Sequence, residues 1–426
     1  MNSERKRVVV TGMGIVSPNG NGLPAFLSAL NEGKSGIAFQ ERLKELNFSC
    51  QIAAEPQLSN ELIHNYFSEL ELRNFNSNGI LYGVIAGMDA LKDAKISIAN
   101  KGEEPLWNLG VIFGTSISGV DKFRDAIYEV DAGNTRRLGS TVVAQNMASG
   151  VSAYLAGKIG AGNQVTTNSS ACATGTEAVI LGYDRIASGK ATQMLCGSCS
   201  DGSPYLWAGF DAMRVITRKH NDTPTIASRP MSATASGFVP GSGAGALLLE
   251  SLESAIERGA PIYAEVLGGA VNNGGQRQGG TMTAPNSTAV QKCIQQALMS
   301  ASVSPSEIDY INGHLTATIK DPVEIENWSK ALRRNGVDFP LINSLKGMIG
   351  HGLAASGSME IVATLLQMKH EFIFKNVNCE DLHPKILEII SPKCIPQETS
   401  NHTIQTAIKA SFGFGDVNAC AIFRKF

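Results

Sequence analysis

Long apolar runs are missing from this 426-residue chain. No stretch approaches the roughly 20 residues that a bilayer-spanning helix needs, so a helical membrane protein is excluded. The basic start, Met1 to Arg7, leads only into Val8-Val-Val10 before Gly12, and no secretory signal is expected there. A disulfide framework is also missing. The eight cysteines follow no regular spacing and read as free thiols in a reducing, cytoplasmic compartment. Charge is sparse and balanced, at 17% charged residues and a net charge of -2, which excludes a large nucleic-acid or membrane surface. Histidine is scarce, with seven in the chain. Glycine is abundant instead. Forty-four residues exceed the usual share of about 7% and predict tight turns and close backbone approaches.

Strand-like and helix-like patterns alternate along the chain, which predicts an α/β fold with buried sheets. Val8 to Gly14 reads as a buried strand ending in a glycine turn, and residues 23–31 as a helix closed by Gly33. The Gly12-Met-Gly14 pair lacks the third glycine of a dinucleotide fingerprint. Helices are expected over 79–94, 252–258, 288–300, 322–332 and 354–370, and strands over 109–114, 193–199, 244–250, 261–269, 308–314 and 406–411. A boundary near Gly259 divides the chain into residues 1–259 and 260–426.

The stretch Ser169-Ser-Ala-Cys172-Ala-Thr-Gly175 places a cysteine where a short strand gives way to a helix closed by Gly189. Unpaired N–H groups and the positive end of the helix dipole favour a thiolate there. Most cysteines are nevertheless small buried hydrophobes. Cys196-Gly-Ser-Cys199 has the spacing of a redox pair or half a zinc site, but it sits in a strand with no second pair, so structural thiols are expected. Three later loops carry polar groups among small residues: Asn312-Gly-His314-Leu-Thr316-Ala-Thr318, with Asp321 and Glu324 beyond; Lys346-Gly-Met-Ile-Gly-His351-Gly; and Ser411-Phe412-Gly-Phe414-Gly-Asp416. Each alone reads as an ordinary loop or core bend. Occurring together, and in this order, they point to one site.

From Val8 onward the chain resembles the elongating β-ketoacyl-acyl-carrier-protein synthases of the thiolase superfamily, condensing enzymes. The resemblance rests on the cysteine loop, His314, Lys346 with Gly350-His351, Ser411 to Gly415, Ser228-Arg-Pro230 and Gly241 to Gly245. It implies the thiolase fold, two similar halves in a five-layered α-β-α-β-α sandwich, and a homodimer. It implies that Cys172 takes an acyl group from a carrier thioester, and that malonyl carrier protein then loses CO₂. His314 and His351 would donate to the enolate. Lys346 would lend positive potential, with Glu324 its partner. Backbone N–H groups of Cys172 and Phe414 would form the oxyanion hole, with Phe412 in the same gating loop. The family also places Thr316 and Thr318 on the phosphopantetheine arm and Ile117 at the acyl pocket. Arg73, Arg214, Arg218 and Lys219 would dock the acyl carrier protein. No metal or organic cofactor is implied.

The sequence departs from the family where Leu315 and Ala317 replace glycines. It also departs at Met231 to Ser236, at Ser242 in place of an acid, and at Asp416-Val417. These changes bear on substrate and carrier identity. They keep open a specialised synthase for a polyene or polyketide-like product. A non-catalytic chain-length-factor-type partner subunit is disfavoured by the presence of Cys172.

Overall fold

The computed structural model describes residues 5–426; Met1 to Glu4, where the basic start begins, lie outside the described residues. Among the described residues eleven strands make one sheet system, the two-residue strand Gly20–Asn21 paired beside the first and the other ten in a single path. The first five are β1 (Val8–Ser17), β2 (Leu109–Gly114), β3 (Val165–Thr166), β4 (Gln193–Ser200) and β5 (Gly243–Ser251). They stand in the order β1-β5-β4-β2-β3, with β5 antiparallel to both β1 and β4, and β2 parallel to β4 and β3. The next five are β6 (Ala264–Asn273), β7 (Tyr310–Asn312), β8 (Leu341–Asn343), β9 (Thr406–Gly413) and β10 (Val417–Lys425). Their order, β6-β10-β9-β7-β8, repeats the same pattern of directions. The two runs meet where Val8–Val10 of β1 pair with Ala264–Val266 of β6.

Helices fill three layers around these sheets. α1 (Asn78–Asp93) and α2 (Gly150–Ile159) cover the outside of the first sheet, and α3 (Thr174–Ala187) lies on its inner face. α4 (Ser287–Ala301) and α5 (Asp321–Leu332) cover the second sheet, while α6 (Ser356–His370) joins α3 between the sheets. This is the α-β-α-β-α sandwich expected from the resemblance. α6 has no polar face: every residue from Ser356 to Met368 is buried, as a helix between two sheets must be. The central helices approach very closely. A Cβ on Gly175 would lie 2.4 Å from the Ser358 nitrogen, and one on Gly357 would lie 2.6 Å from the Thr176 nitrogen.

Most expected elements are present within a few residues, and Gly33 closes its helix in the left-handed conformation at φ 70°. One expectation is corrected. Gly12 and Gly14 form no turn; they lie inside β1, which runs unbroken to Ser17. A Cβ on Gly14 would come within 1.9 Å of the Ala86 carbonyl oxygen, and one on Gly12 within 2.1 Å of that of Ala90. The glycines let α1 rest directly on the strand. β10 escaped the sequence reading altogether.

Candidate active site

Cys172 sits on a tight 3-10 turn, Ala171–Ala173, just ahead of α3. The strand expected before it shrinks to Val165–Thr166. Ala171 takes φ 49°, a conformation that non-glycine residues avoid, so the turn must be held. Thr174 holds it: its Oγ1 accepts from the Ser170 N–H at 2.9 Å and donates to the Ala171 carbonyl at 2.7 Å. Gly413 closes over it, because a Cβ there would meet the Ser170 carbonyl oxygen at 2.9 Å and the Cys172 nitrogen at 3.1 Å.

His314 follows β7 and His351 precedes α6, so the second half supplies both imidazoles to the first half's cysteine. The Cys172 Sγ and one ring nitrogen from each histidine lie within 4.8 Å of one another. The rings meet edge to face, with centroids 5.4 Å apart. Phe238 stands edge-on to His351 at 5.2 Å and Phe412 edge-on to His314 at 6.0 Å. Burial, then the charges of Lys346 and Lys409, hold both imidazoles well below the usual histidine range, so both are neutral at pH 7. The Leu353 N–H donates to His351 Nδ1 at 3.3 Å, and Ser356 Oγ lies 2.8 Å from the same atom. An Nδ1 that accepts leaves the proton on Nε2, so His351 presents a donor. His314 Nδ1 is buried without a partner among the described residues.

The thiol departs from expectation. Burial pushes Cys172 up to about 11, outweighing the Lys346 charge and the backbone N–H groups of Phe414 and Cys172 that favour the thiolate. Burial thus opposes ionisation of the resting sulfur, against the groups that favour it. Its proton leaves when the nucleophile is used. The Phe414 and Cys172 N–H groups nonetheless lie close enough to the sulfur to favour its thiolate.

The expected partner of Lys346 is also corrected. Glu324 is occupied elsewhere, accepting from the His314 and Leu315 N–H groups at 2.7 Å each and from Trp328 Nε1 at 3.2 Å. Glu324 thus positions the His314 loop. The carboxylate that pairs with Lys346 is Glu360 of α6, which also meets Lys409 Nζ at 2.9 Å. Glu360 and Lys409 were missed by the motif reading. A charge inside the apolar runs Met359 to Val362 and Ala407 to Ala410 was the available signal.

A cavity of about 550 Å³ opens over the cysteine, lined by Phe210, Phe238, Leu353, Phe412 and Phe414 among others. Thr316 and Thr318 stand on its wall with hydroxyls 3.1 Å apart, and Arg214 and Lys320 lie along it. Lys320 went unnoticed in the sequence. Arg73, Arg218 and Lys219 are exposed but do not line the cavity. Ile117, 46% exposed in the single chain, does not line it either.

Leu315 and Ala317 adopt φ 22° and 61°, the left-handed region that glycine enters freely. The loop is held there from several sides. Ser344 Oγ donates to the Leu315 carbonyl at 2.9 Å, and Asp321 accepts from the N–H groups of Thr316, Ala317 and Thr318. Asp416 also acquires a role: its carboxylate accepts from the N–H groups of Gln276 and Asn286, fixing the loop that brings Thr283 to Pro285 to the cavity wall. The CxxC cysteines are buried and free, as are the other six.

Residues 5–255 match the family model "Beta-ketoacyl synthase, N-terminal domain", and residues 263–380 match "Beta-ketoacyl synthase, C-terminal domain". The chain is 34% identical to 3-oxoacyl-[acyl-carrier-protein] synthase I, chloroplastic, of Arabidopsis thaliana, over 99% of this chain and 87% of that protein. A crystal structure of a β-ketoacyl synthase from Burkholderia phymatum superposes with TM-score 0.88 at 28% identity, covering 99% of this chain and all of that one. The AntDE:AntF complex, a type II PKS acyl-carrier protein with its ketosynthase bound to the hexaketide, superposes with TM-score 0.85 at 26% identity, covering 99% of this chain and 100% of that one. With both halves matched in order and the cysteine and histidines converging between them, the chain belongs to the β-ketoacyl synthase family.

Proposed function

We propose that this protein is a 3-oxoacyl-acyl-carrier-protein synthase that extends a carrier-bound acyl chain by two carbons in fatty-acid synthesis. The observation that carries this reading is the convergence of Cys172, His314 and His351 at the floor of one largely apolar cavity. The Cys172 sulfur attacks an acyl thioester and its proton passes to a neutral imidazole; the carrier thiol leaves. The Cys172 and Phe414 N–H groups stabilise the oxyanion. Malonyl carrier protein then enters, with Thr316 and Thr318 along its pantetheine arm. The bond to the carboxylate breaks, CO₂ departs, and the electron pair becomes an enolate whose oxygen accepts hydrogen bonds from the imidazoles. The enolate carbon attacks the acyl-Cys carbonyl, and Cys172 leaves as thiolate.

No metal is assigned a step, although a Cys-His-His convergence of this kind can hold a soft divalent ion. The expected result is that a chelator leaves the rate unchanged. Intact-mass spectrometry tests the main reading: with acyl carrier proteins, Cys172 should gain the acyl mass and, after malonyl carrier protein is added, release a β-keto product two carbons longer. No acylation by any saturated primer would overturn it in favour of a specialised substrate. The strained Leu315–Ala317 loop beside the pantetheine threonines, together with the likeness to a type II PKS ketosynthase, supports that second reading.

Docking of the acidic carrier is assigned to Arg214 and Lys320, which line the cavity, together with the exposed Arg218, Lys219 and Arg73. The protein is taken to be a cytoplasmic homodimer; among the described residues, no helix is long and apolar enough to cross a membrane. β3 is an open sheet edge, and Ile117, Phe123, Ile127 and Val143 are exposed apolar groups, all in the first half. Light scattering should give twice the 45.1 kDa chain mass.

A further inference from the structure

Four ionisable side chains are buried behind the two histidines: Glu324 and Glu360, Lys346 and Lys409, each between 0% and 8% exposed. Lys409 Nζ lies 2.9 Å from Glu360 Oε2 and donates to the Ala410 carbonyl, while Lys346 holds the other Glu360 oxygen. The two carboxylates and two ammonium groups balance. Remove Lys409 and the group carries a net negative charge, directly behind the place where the enolate develops its own. Like charge there opposes the reaction in a low-dielectric site.

We propose that Lys409 is a positioning residue for the condensation: it shares Glu360 with Lys346, so that the positive charge of Lys346 stays directed at the reacting thioester rather than being cancelled. This rests on the synthase reading above. The geometry supports it from each neighbouring element. α6 contributes Glu360, the short Lys346–Ile349 helix contributes Lys346, and α5 contributes Glu324, while the Cys420 side chain of β10, paired with Ala410, faces the other side of the sheet. Asn312 Oδ1 on β7 is buried without a partner. Burial first, and then the charges of Lys346 and Lys409, lower both imidazoles below the usual histidine range. An aliphatic side chain at 409 would suit the buried strand better. A lysine there fits an electrostatic role.

The test separates charge from shape by measuring decarboxylation of malonyl carrier protein with the purified full chain. Lys409→Met keeps the shape and removes the charge. Its kcat should fall about 10- to 100-fold, with KM within about threefold of wild type. Lys409→Met combined with Glu360→Gln restores the charge balance, leaving Lys346 with Glu324, and should recover most of the lost kcat. A folded Lys409→Met protein with wild-type kcat overturns the proposal. So does a loss that the double variant fails to recover, since that marks a packing role. Should Lys409→Met fail to fold, Lys409→Gln, which can still bond the Ala410 carbonyl, takes its place in the same comparison. A wild-type chain with no decarboxylation at all would instead overturn the synthase reading.

Discussion

Cys172→Ala is expected to lower condensation by about 10⁴-fold or more, because no other nucleophile reaches the acyl carbonyl. Among the described residues the remaining cysteines are buried and free elsewhere, and none joins the two histidines. Loss of malonyl carboxylate as CO₂ should survive in this variant. That step needs donors to the enolate oxygen, and His314 and His351 remain in place. The divergence is the informative outcome. Measuring ¹⁴CO₂ release beside β-keto product separates the roles of sulfur and imidazoles, and equal loss of both would show that the sulfur is needed for the decarboxylation as well. The alanine leaves the Ala171 turn and its Thr174 bonds intact, so a change in fold is not expected.

Glu360→Gln should have the largest effect on stability. It leaves two buried ammonium groups, Lys346 and Lys409, sharing a neutral partner, and breaking a buried ion pair in this way costs about 3–5 kcal/mol. The loss has a pH signature. Burial already lowers Lys409 below the usual lysine range, with the Glu360 charge opposing that shift. Without Glu360 the folded-state value falls further, so the unfolded chain binds more protons than the folded one over a wider range. Stability of the variant must then rise with pH as the lysine deprotonates in the folded state. Urea unfolding at pH 7 and pH 9 measures this. A variant no less stable than wild type at pH 7, or one whose deficit does not shrink at pH 9, would contradict the pairing.

Much of the site was legible in the sequence because its chemistry is written in short local motifs. Cys172, His314, His351 and Lys346 each sit among small residues that bring backbone close to substrate. The structure gathers all four, three of them around one cavity with Lys346 buried behind. Glu360 was not legible as Lys346's partner. It sits in a helix buried on all sides, and only the meeting of α6 with β9 puts it between two lysines. Glu324 stands in the His314 motif, but three N–H donors claim it. The thiol's environment was half legible for a related reason: the N–H groups that favour the thiolate can be read from sequence, whereas the depth of burial that opposes it cannot. Gly12 and Gly14 show the same limit in the fold. A glycine pair after three valines looks like a turn, and only the α1 backbone lying against them reveals their use.

The seam between Val8–Val10 and Ala264–Val266 has a consequence for how the protein is made. β1 leaves the ribosome long before both of its long neighbours, β5 and β6, which lie more than two hundred residues downstream. At about 5–20 residues per second, β1 waits on the order of tens of seconds for its partners. Throughout that interval this strand, buried along its whole length in the finished fold, has only the two-residue Gly20–Asn21 strand to pair with. The nascent chain is thus vulnerable to misassembly at this strand, and its biosynthesis favours a chaperone that holds that segment until residues 243–273 have been translated.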